Sequence, residues 1–299
     1  MSALIAVLKI IFPIYSIIAL GYYFNRTGKY NQKVDAFLNQ VAFYYIMPVV
    51  LFKGLLFNDV KFTSGILQIP GFMLLAFILM FAVFYLFKIP LQYLIMSFRG
   101  NTVYFGIPIL KLTLNEQDFL TGILVISLIS PLTIFLVTIL KPETGGLRKI
   151  LLNTLKNPFL WVLILGIILG NSGFNFDFLQ SLLSEISDAL TFISLIIIGG
   201  NLSFKELKKV SALENMAIFN KLMLFPLLFL FYGKMVGLDP ACMKIGLLLA
   251  STPGAVTNYT IIRELGLPER EAVRNVMLSS FIYFIYLPVL LLFLDRLCR

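Results

Sequence analysis

The sequence predicts an all-α polytopic membrane protein with ten transmembrane helices, arranged as two inverted five-helix repeats. Hydrophobic residues make up 59% of the 299 residues, charged residues only 13%, and the mean hydropathy is +0.93. Soluble domains carry about 25% charged residues, so a soluble core cannot account for this composition. Apolar stretches of bilayer length, about 20 residues for a helix, follow one another along the chain.

The ten predicted spans are apolar windows separated by short polar or basic loops. They cover 4–24, 35–57, 66–88, 91–110 and 119–140 in the first half, and 151–170, 178–201, 213–236, 241–264 and 273–294 in the second. The first window is too long for the apolar core of a signal peptide, which has about 7 to 15 residues. The second window contains Tyr44, Tyr45 and Lys53, and we expect it to face protein or water.

Basic residues in the loops predict the orientation of the chain. Loops after odd-numbered spans hold 14 Lys and Arg residues, whereas loops after even-numbered spans and the C-terminal tail hold six. The positive-inside rule therefore places the odd loops in the cytoplasm and both termini outside. A cytoplasmic connector at 141–157 separates the repeats, 1–140 and 158–299, which must be inverted because five spans is an odd number. Prolines recur in corresponding spans, Pro13 with Pro158 and Pro131 with Pro288.

The residues that are missing exclude several classes of protein. The chain has no histidine, and its cysteines, Cys242 and Cys298, lie in no metal-ligand spacing. We therefore expect no metal site, no disulfide framework and no cofactor. Motifs for nucleotide binding, zinc proteases and serine hydrolases are also absent from the sequence. The net charge of +9 lies in short clusters between apolar runs, which indicates membrane topology and not nucleic-acid binding.

Two spans carry helix-breaking residues beside polar side chains near their centres. In the fourth span these are Arg99, Gly100, Asn101 and Thr102, and in the ninth they are Pro253, Gly254 and Asn258. A broken helix frees N–H groups at the N-terminus of its second half, where a partial positive charge attracts anions. This pattern predicts a binding site for a small organic anion, such as a carboxylate, that these residues form. The alternative is that glycine and proline only kink the helices for packing.

Ionisable residues inside apolar spans are functional candidates, because inserting each one costs roughly 2.5 to 3.5 kcal/mol. Asp188 in the seventh span is the best candidate for coupling to a proton or a cation, with a buried structural hydrogen bond as the alternative. Arg99 is expected either to attract the anion or to pair with Asp188. Lys221 and Lys53 are weaker candidates, because a lysine can extend its ammonium to the membrane interface.

Several segments carry a family resemblance along the whole chain. The most specific is Gly100-Asn101-Thr102 followed by Gly106-Ile107-Pro108; further matches are Gln40 to Pro48, Lys156-Asn157-Pro158, Leu183 to Ala189, and Pro253 to Gly266. These segments resemble the auxin efflux carrier (PIN-like) family, which includes plant carriers and short bacterial permeases linked to malate or malonate.

The resemblance implies ten spans with crossed broken helices 4 and 9, meeting at Gly100 and Pro253. It also implies a scaffold of the first, second, sixth and seventh spans, elevator-type alternating access, and carboxylate binding by Asn101 and Asn157. The plant carriers have proline where this chain has Gly100, and a long central loop where this chain has only 141–157. The short loop favours a bacterial inner-membrane permease, and the charge of Arg99 favours an acid smaller or more charged than auxin.

The leading hypothesis is therefore a secondary active transporter of a small organic anion in a lipid bilayer, with a proton or sodium as coupling ion. The closest alternative is a sodium-coupled organic-anion symporter of the bile-acid symporter type. An intramembrane enzyme and a nutrient sensor without flux fit the sequence less well. The sequence leaves the substrate, the direction of transport and the oligomeric state open, and a homodimer is compatible with it.

Overall fold

A computed structural model of the chain describes residues 2–57, 64–140, 158–174, 176–202 and 210–297. Helices α1 to α7 are Ser2–Arg26, Gln32–Gln40, Met47–Leu56, Ser64–Leu86, Leu91–Phe98, Ile107–Thr113 and Glu116–Thr138. Helices α8 to α14 are Pro158–Gly170, Asp177–Gly200, Ala212–Phe219, Phe225–Val236, Pro240–Ala250, Thr257–Glu264 and Glu269–Leu297. Within these ranges the fold is helical, and the pairing of two residues described below is an isolated β-bridge.

Among the described residues, six helical segments are long and apolar enough to cross a membrane. They are Gln32–Leu56, Ser64–Leu86, Glu116–Val137, Asp177–Gly200, Ala212–Val236 and Arg270–Leu294. Two shorter apolar segments are Thr102–Thr113 and Pro240–Ala250, and they fall in the predicted fourth and ninth spans. The chain is therefore a multi-pass helical membrane protein, while the number of ten spans stays a prediction.

In the described part of the chain, three helices contain a π-helical turn, and each turn ends two residues before a proline. The turns are Val41–Ile46, Thr102–Gly106 and Asn220–Leu224, and the prolines are Pro48, Pro108 and Pro226. Proline has no N–H group, and its ring collides with the carbonyl four residues earlier. A wider turn relieves this collision while the helix continues, which is how membrane helices accommodate proline.

The chain divides into two compact units. The first unit is Met1–Pro13, Gly71–Gly106 and Leu202–Arg299, and the second is Ile14–Pro70 and Ile107–Asn201. Both predicted repeats contribute segments to each unit. The family resemblance assigned the first, second, sixth and seventh spans to a scaffold. The second unit contains most of the first two of these spans and the described parts of the other two. It also contains the predicted fifth span.

Glycines allow close helix packing in the second unit. A Cβ on Gly54 would lie 2.7 Å from Ile123 Cγ2, and a Cβ on Gly166 would lie 2.6 Å from Leu55 Cβ. A Cβ on Gly199 would collide with the Ile18 carbonyl. Helices in lipid associate through van der Waals contact, which small residues at the interface improve. These glycines therefore allow α3 to pack closely against α7 and α8, and α1 against α9.

An aromatic cluster organises the first unit. The Phe72 ring contacts those of Phe225 and Phe229 edge-on, with 5.2 Å between ring centroids in each case. Phe98, the last residue of α5, also packs edge-on against Phe225, at 5.9 Å. Edge-to-face pairs of this kind contribute about 0.5 to 1.5 kcal/mol beyond their buried area. The cluster fixes the end of α5 against α11, and the residues that follow α5 form the candidate site.

Candidate functional site

The first break in the helices lies directly after α5. The helix ends at Phe98, and the Arg99 backbone is extended, with φ −85° and ψ 115°. The chain becomes helical again at Thr102, where the Asn101 side chain closes the new helix end by accepting a hydrogen bond from Tyr104 N at 3.1 Å. This is the capping geometry that asparagine favours at a helix N-terminus.

The second break lies between α12 and α13. Helix α12 ends at Ala250, where Ser251 Oγ donates to the Leu247 carbonyl at 2.7 Å and Thr252 Oγ1 donates to the Leu249 carbonyl at 2.7 Å. These hydroxyls satisfy carbonyls that the end of a helix leaves without partners. Helix α13 begins at Thr257.

The two breaks pair with each other inside the first unit. Gly100 and Gly254 form an antiparallel bridge; Asn101 N donates to Pro253 O at 2.7 Å, and Ala255 N donates to Arg99 O at 3.1 Å. Backbone groups that the breaks release are satisfied by this pairing, as a buried site requires. The sequence matched Gly100 with Pro253, whereas the bridge partner is Gly254, one residue further along the chain.

Both bridge residues lack room for a side chain. A Cβ on Gly100 would collide with Thr252 Oγ1 and lie 2.7 Å from Lys221 Cε. A Cβ on Gly254 would lie 2.7 Å from Asn275 Oδ1. Neither glycine has a positive φ angle, so the requirement at these positions is close approach and not backbone conformation.

Arg99 lies beside the N-terminus of α13, with 6% of its surface exposed. Its Nη1 donates to Asn258 Oδ1 and its Nη2 to Thr257 Oγ1, both at 3.2 Å, while its buried Nε has no hydrogen-bond partner within the described ranges. Asn258 also donates from Nδ2 to the Arg99 carbonyl at 3.3 Å. A guanidinium at the positive end of a helix is electrostatically unfavourable unless an anion joins it, so this corner favours a negative ligand.

Asn101 and Thr102 complete this side of the breaks. Asn101 is buried, and its Nδ2 has no hydrogen-bond partner among the described residues, because the cap uses only its Oδ1. Arg99 and Asn101 are two residues apart along extended backbone, an arrangement that places side chains on the same face. Thr102 begins the π-helical turn and is partly exposed. Arg99 Nε and Asn101 Nδ2 are therefore two donors available to an anion.

Lys221 lies in the π-helical turn Asn220–Leu224 and is buried, with 1% of its surface exposed. Its Nζ donates to the Ala250 carbonyl at 2.5 Å and lies 4.5 Å from the centre of the Phe225 ring. Sequence reasoning ranked this residue as a weaker candidate that could reach the interface, but the structure places its ammonium at the paired breaks. The proline pattern was the available signal, because Pro226 widens the turn that carries Lys221.

Asn275 was missed at the sequence level. It lies on α14, is 1% exposed, and neither of its amide atoms has a hydrogen-bond partner among the described residues. Ser279, one turn later, accepts a hydrogen bond from Gly254 N at 3.0 Å. The signal in the sequence was an asparagine and a serine four residues apart in an apolar span, which share one helix face.

Asp188 and Lys53 belong to the second unit. Asp188 lies on α9, with 66% of its side chain exposed, and pairs with Lys111 at 3.7 Å. Lys111 also contacts Glu116 at 3.3 Å, and Glu116 binds the buried Lys53 at 2.7 Å. The structure therefore gives Asp188 a lysine partner, and the alternative pairing with Arg99 is not seen. Asn157 lies outside the described residues.

Comparison with known sequences assigns the chain to a family. The sequence model of a family described as membrane transport protein matches twice, over residues 6–145 and 144–291. No curated protein matches the chain. The two matches together cover nearly all of the sequence, one for each half. The chain therefore belongs to the membrane transport protein family, the family of the auxin efflux carriers, whose members are transporters and not enzymes.

Proposed function

We propose that the protein is a secondary active transporter that moves a small organic anion, such as a carboxylate, across the cell membrane. In this proposal ten spans form two inverted repeats, and the fourth and ninth spans are broken helices that cross at the Gly100–Gly254 bridge. The substrate binds at the crossing, and elevator-type alternating access exposes it to each side in turn. Membership of a transporter family supports this function.

The main support for the proposal is the positive charge of two buried residues at the paired breaks. Arg99 and Lys221 are both almost fully buried, and neither has a carboxylate within ion-pair distance among the described residues. Burying a charge without a counter-ion is costly. An anionic substrate would supply the missing negative charge, whereas a cation would meet two like charges.

The roles of individual residues follow from their contacts. Arg99 and Asn101 would donate to the carboxylate, since Arg99 Nε and Asn101 Nδ2 have no hydrogen-bond partner in the part of the chain that the structure describes. Asn258 would position Arg99, because both polar atoms of its amide bind that residue. Gly100, Pro253 and Gly254 would bring the backbones together, and Thr102 would line the partly exposed side. Asn157 stays a predicted substrate ligand from the family resemblance.

We assign the coupling of transport to a proton or cation to the second unit. Asp188 would carry the coupling step, because it is the exposed end of a chain of charges that runs through Lys111 and Glu116 to the buried Lys53. A change in protonation at Asp188 would alter this chain. The positive-inside rule further places both termini on the non-cytoplasmic side of a bacterial inner membrane.

Anion-dependent thermal unfolding of the purified protein tests the proposal. Malonate and malate should raise the midpoint of unfolding, because a ligand that binds only the folded state stabilises it. The neutral analogue malonamide should not. Asn101→Ala removes one neutral donor and should weaken malonate binding about 2- to 10-fold, while Asn215→Ala, at an exposed asparagine of the same unit, should bind as the wild type does.

A transport measurement in proteoliposomes completes the test. Radiolabelled malonate should exchange across the membrane of proteoliposomes that contain the wild type or Asn215→Ala, and more slowly with Asn101→Ala. If no carboxylate stabilises or crosses with the wild type, the proposed function is wrong. If Asn101→Ala binds and transports as well as Asn215→Ala, the site is elsewhere.

A further inference from the structure

The Lys221 ammonium occupies an unusual position for a lysine in a membrane helix. Its Nζ donates to the carbonyl of Ala250, the last residue of α12. It also lies against the first break, since a Cβ on Gly100 would come within 2.9 Å of Nζ and 2.7 Å of Cε. The ammonium therefore lies between the C-terminus of α12 and the non-helical backbone that follows α5.

Half-helix ends of this kind attract cations. The C-terminus of a helix carries about half a negative charge, because its last carbonyls point outward without partners. In carriers with discontinuous helices, such ends and the unwound carbonyls beside them coordinate the coupling sodium ion or proton. In this chain Ser251 binds the Leu247 carbonyl and Thr252 the Leu249 carbonyl near the end of α12. The Ala250 carbonyl accepts the hydrogen bond from Lys221.

An aromatic ring beside Lys221 favours a positively charged ammonium at this position. The face of the Phe225 ring lies 4.5 Å from Nζ, and an aromatic face attracts an ammonium electrostatically. No carboxylate lies within ion-pair distance of Lys221 in the described part of the chain, and no cluster of three acidic, cysteine or histidine residues that could hold a metal is found there. A free sodium ion would compete with the Lys221 ammonium for the Ala250 carbonyl.

We propose that the Lys221 ammonium is a tethered cation at the place where a coupling sodium ion would otherwise bind, so that this carrier works without sodium. The inference rests on the proposed transport function and deepens it by excluding one coupling ion. In this arrangement the Lys221 ammonium supplies the charge that sodium would bring to the breaks with each transport cycle. Anion binding should then be independent of sodium.

Thermal unfolding of the purified full-length protein in sodium, potassium and choline chloride, at equal ionic strength and pH, tests this inference. The wild type should unfold at the same temperature in all three salts. Lys221→Ser removes the ammonium and frees the Ala250 carbonyl for another cation, so sodium should raise the midpoint of this variant relative to choline by about 2 °C or more. Lys234→Ser, at an exposed lysine of α11, is the matched control and should behave as the wild type.

A second measurement keeps the test decisive if Lys221→Ser does not fold. Malonate affinity of the wild type should agree within about twofold between sodium and choline, because coupled binding would make each ligand strengthen the other. Stabilisation of the wild type by sodium in particular, or a malonate affinity that rises with sodium, would overturn the inference. A folded Lys221→Ser that gains no response to sodium would overturn it too.

The two proposals fail in different ways. If malonate and malate bind to no form of the protein, the proposed function is wrong, yet the salt comparison without any anion still shows whether Lys221 occupies a sodium site. If malonate binds equally with and without sodium, both proposals are supported. If malonate binds only with sodium, the transport function stands and the inference about Lys221 is wrong.

Discussion

Replacing Gly100 by alanine tests whether the two breaks must approach as closely as the structure indicates. The added methyl group would collide with Thr252 Oγ1 and lie 2.7 Å from Lys221 Cε. Hydrogen bonds restrain both neighbouring side chains. Thr252 Oγ1 is held by its 2.7 Å hydrogen bond to Leu249 O, and the Lys221 side chain is held by its 2.5 Å bond to Ala250 O.

The expected cost follows from these constraints. Forcing an extra methyl group into a tightly packed site costs about 1 to 3 kcal/mol of unfolding free energy. For a chain of this size, that loss lowers the midpoint of thermal unfolding by roughly 2 to 10 °C. Malonate binding should weaken as well, because Arg99 and Asn101 flank the displaced residue.

Gly71→Ala is the matched control. Gly71 lies inside α4, and the nearest atom to an added Cβ is Tyr232 Oη at 3.6 Å, an ordinary contact. Alanine is favoured over glycine inside a helix by about 0.5 to 1 kcal/mol, so this variant should be as stable as the wild type or slightly more so. Both variants are compared by thermal unfolding in the same detergent. If Gly100→Ala is as stable as Gly71→Ala and binds malonate normally, the close pairing of the breaks is wrong.

Three further changes have defined outcomes. Arg99→Gln should lower malonate affinity about 10- to 150-fold, since charged hydrogen bonds contribute about 1.5 to 3 kcal/mol, and an unchanged dissociation constant in a malonate titration would contradict the anion site. Glu116→Gln should destabilise the protein by about 1 to 2 kcal/mol, because it leaves the buried Lys53 ammonium without its carboxylate. Lys53→Met should destabilise it by less, because this change removes the buried charge. If thermal unfolding shows Lys53→Met to be the less stable variant, this reasoning is wrong. Ser211→Ala should cost about 1 kcal/mol, because Ser211 and Glu214 cap α10 reciprocally, and an unchanged unfolding midpoint would show that the cap is unimportant.

The class of the protein and the places where α5 and α12 end could be predicted from local sequence. Long apolar runs identify membrane helices because a bilayer offers backbone groups no other partner. Gly100 and Pro253 indicated interruptions because glycine and proline weaken a helix wherever they occur. The polar residues beside them, Arg99 and Asn101 above all, were identified for the same reason, since a polar side chain in an apolar span has a high cost that function can justify.

The bridge partner and the surroundings of the lysines were decided by the tertiary structure. Gly254 pairs with Gly100 because of how two segments about 150 residues apart approach, and no local pattern distinguishes it from its neighbour Pro253. Lys221 and Lys53 look alike in the sequence, as single lysines in apolar spans. Only packing shows that one meets a half-helix end and the other a glutamate.

By itself, therefore, the sequence determined that the chain crosses a membrane repeatedly, that helices end near Gly100 and Pro253, and that Arg99 lies beside Gly100, because each of these depends on neighbouring residues and on the cost of polar groups in lipid. Only the tertiary structure decided which backbone groups pair and that Asn275 lies beside Gly254. It also showed that the buried Arg99 and Lys221 lack acidic partners in the described part of the chain. Those features depend on contacts between residues far apart in sequence, whose geometry has no local signature.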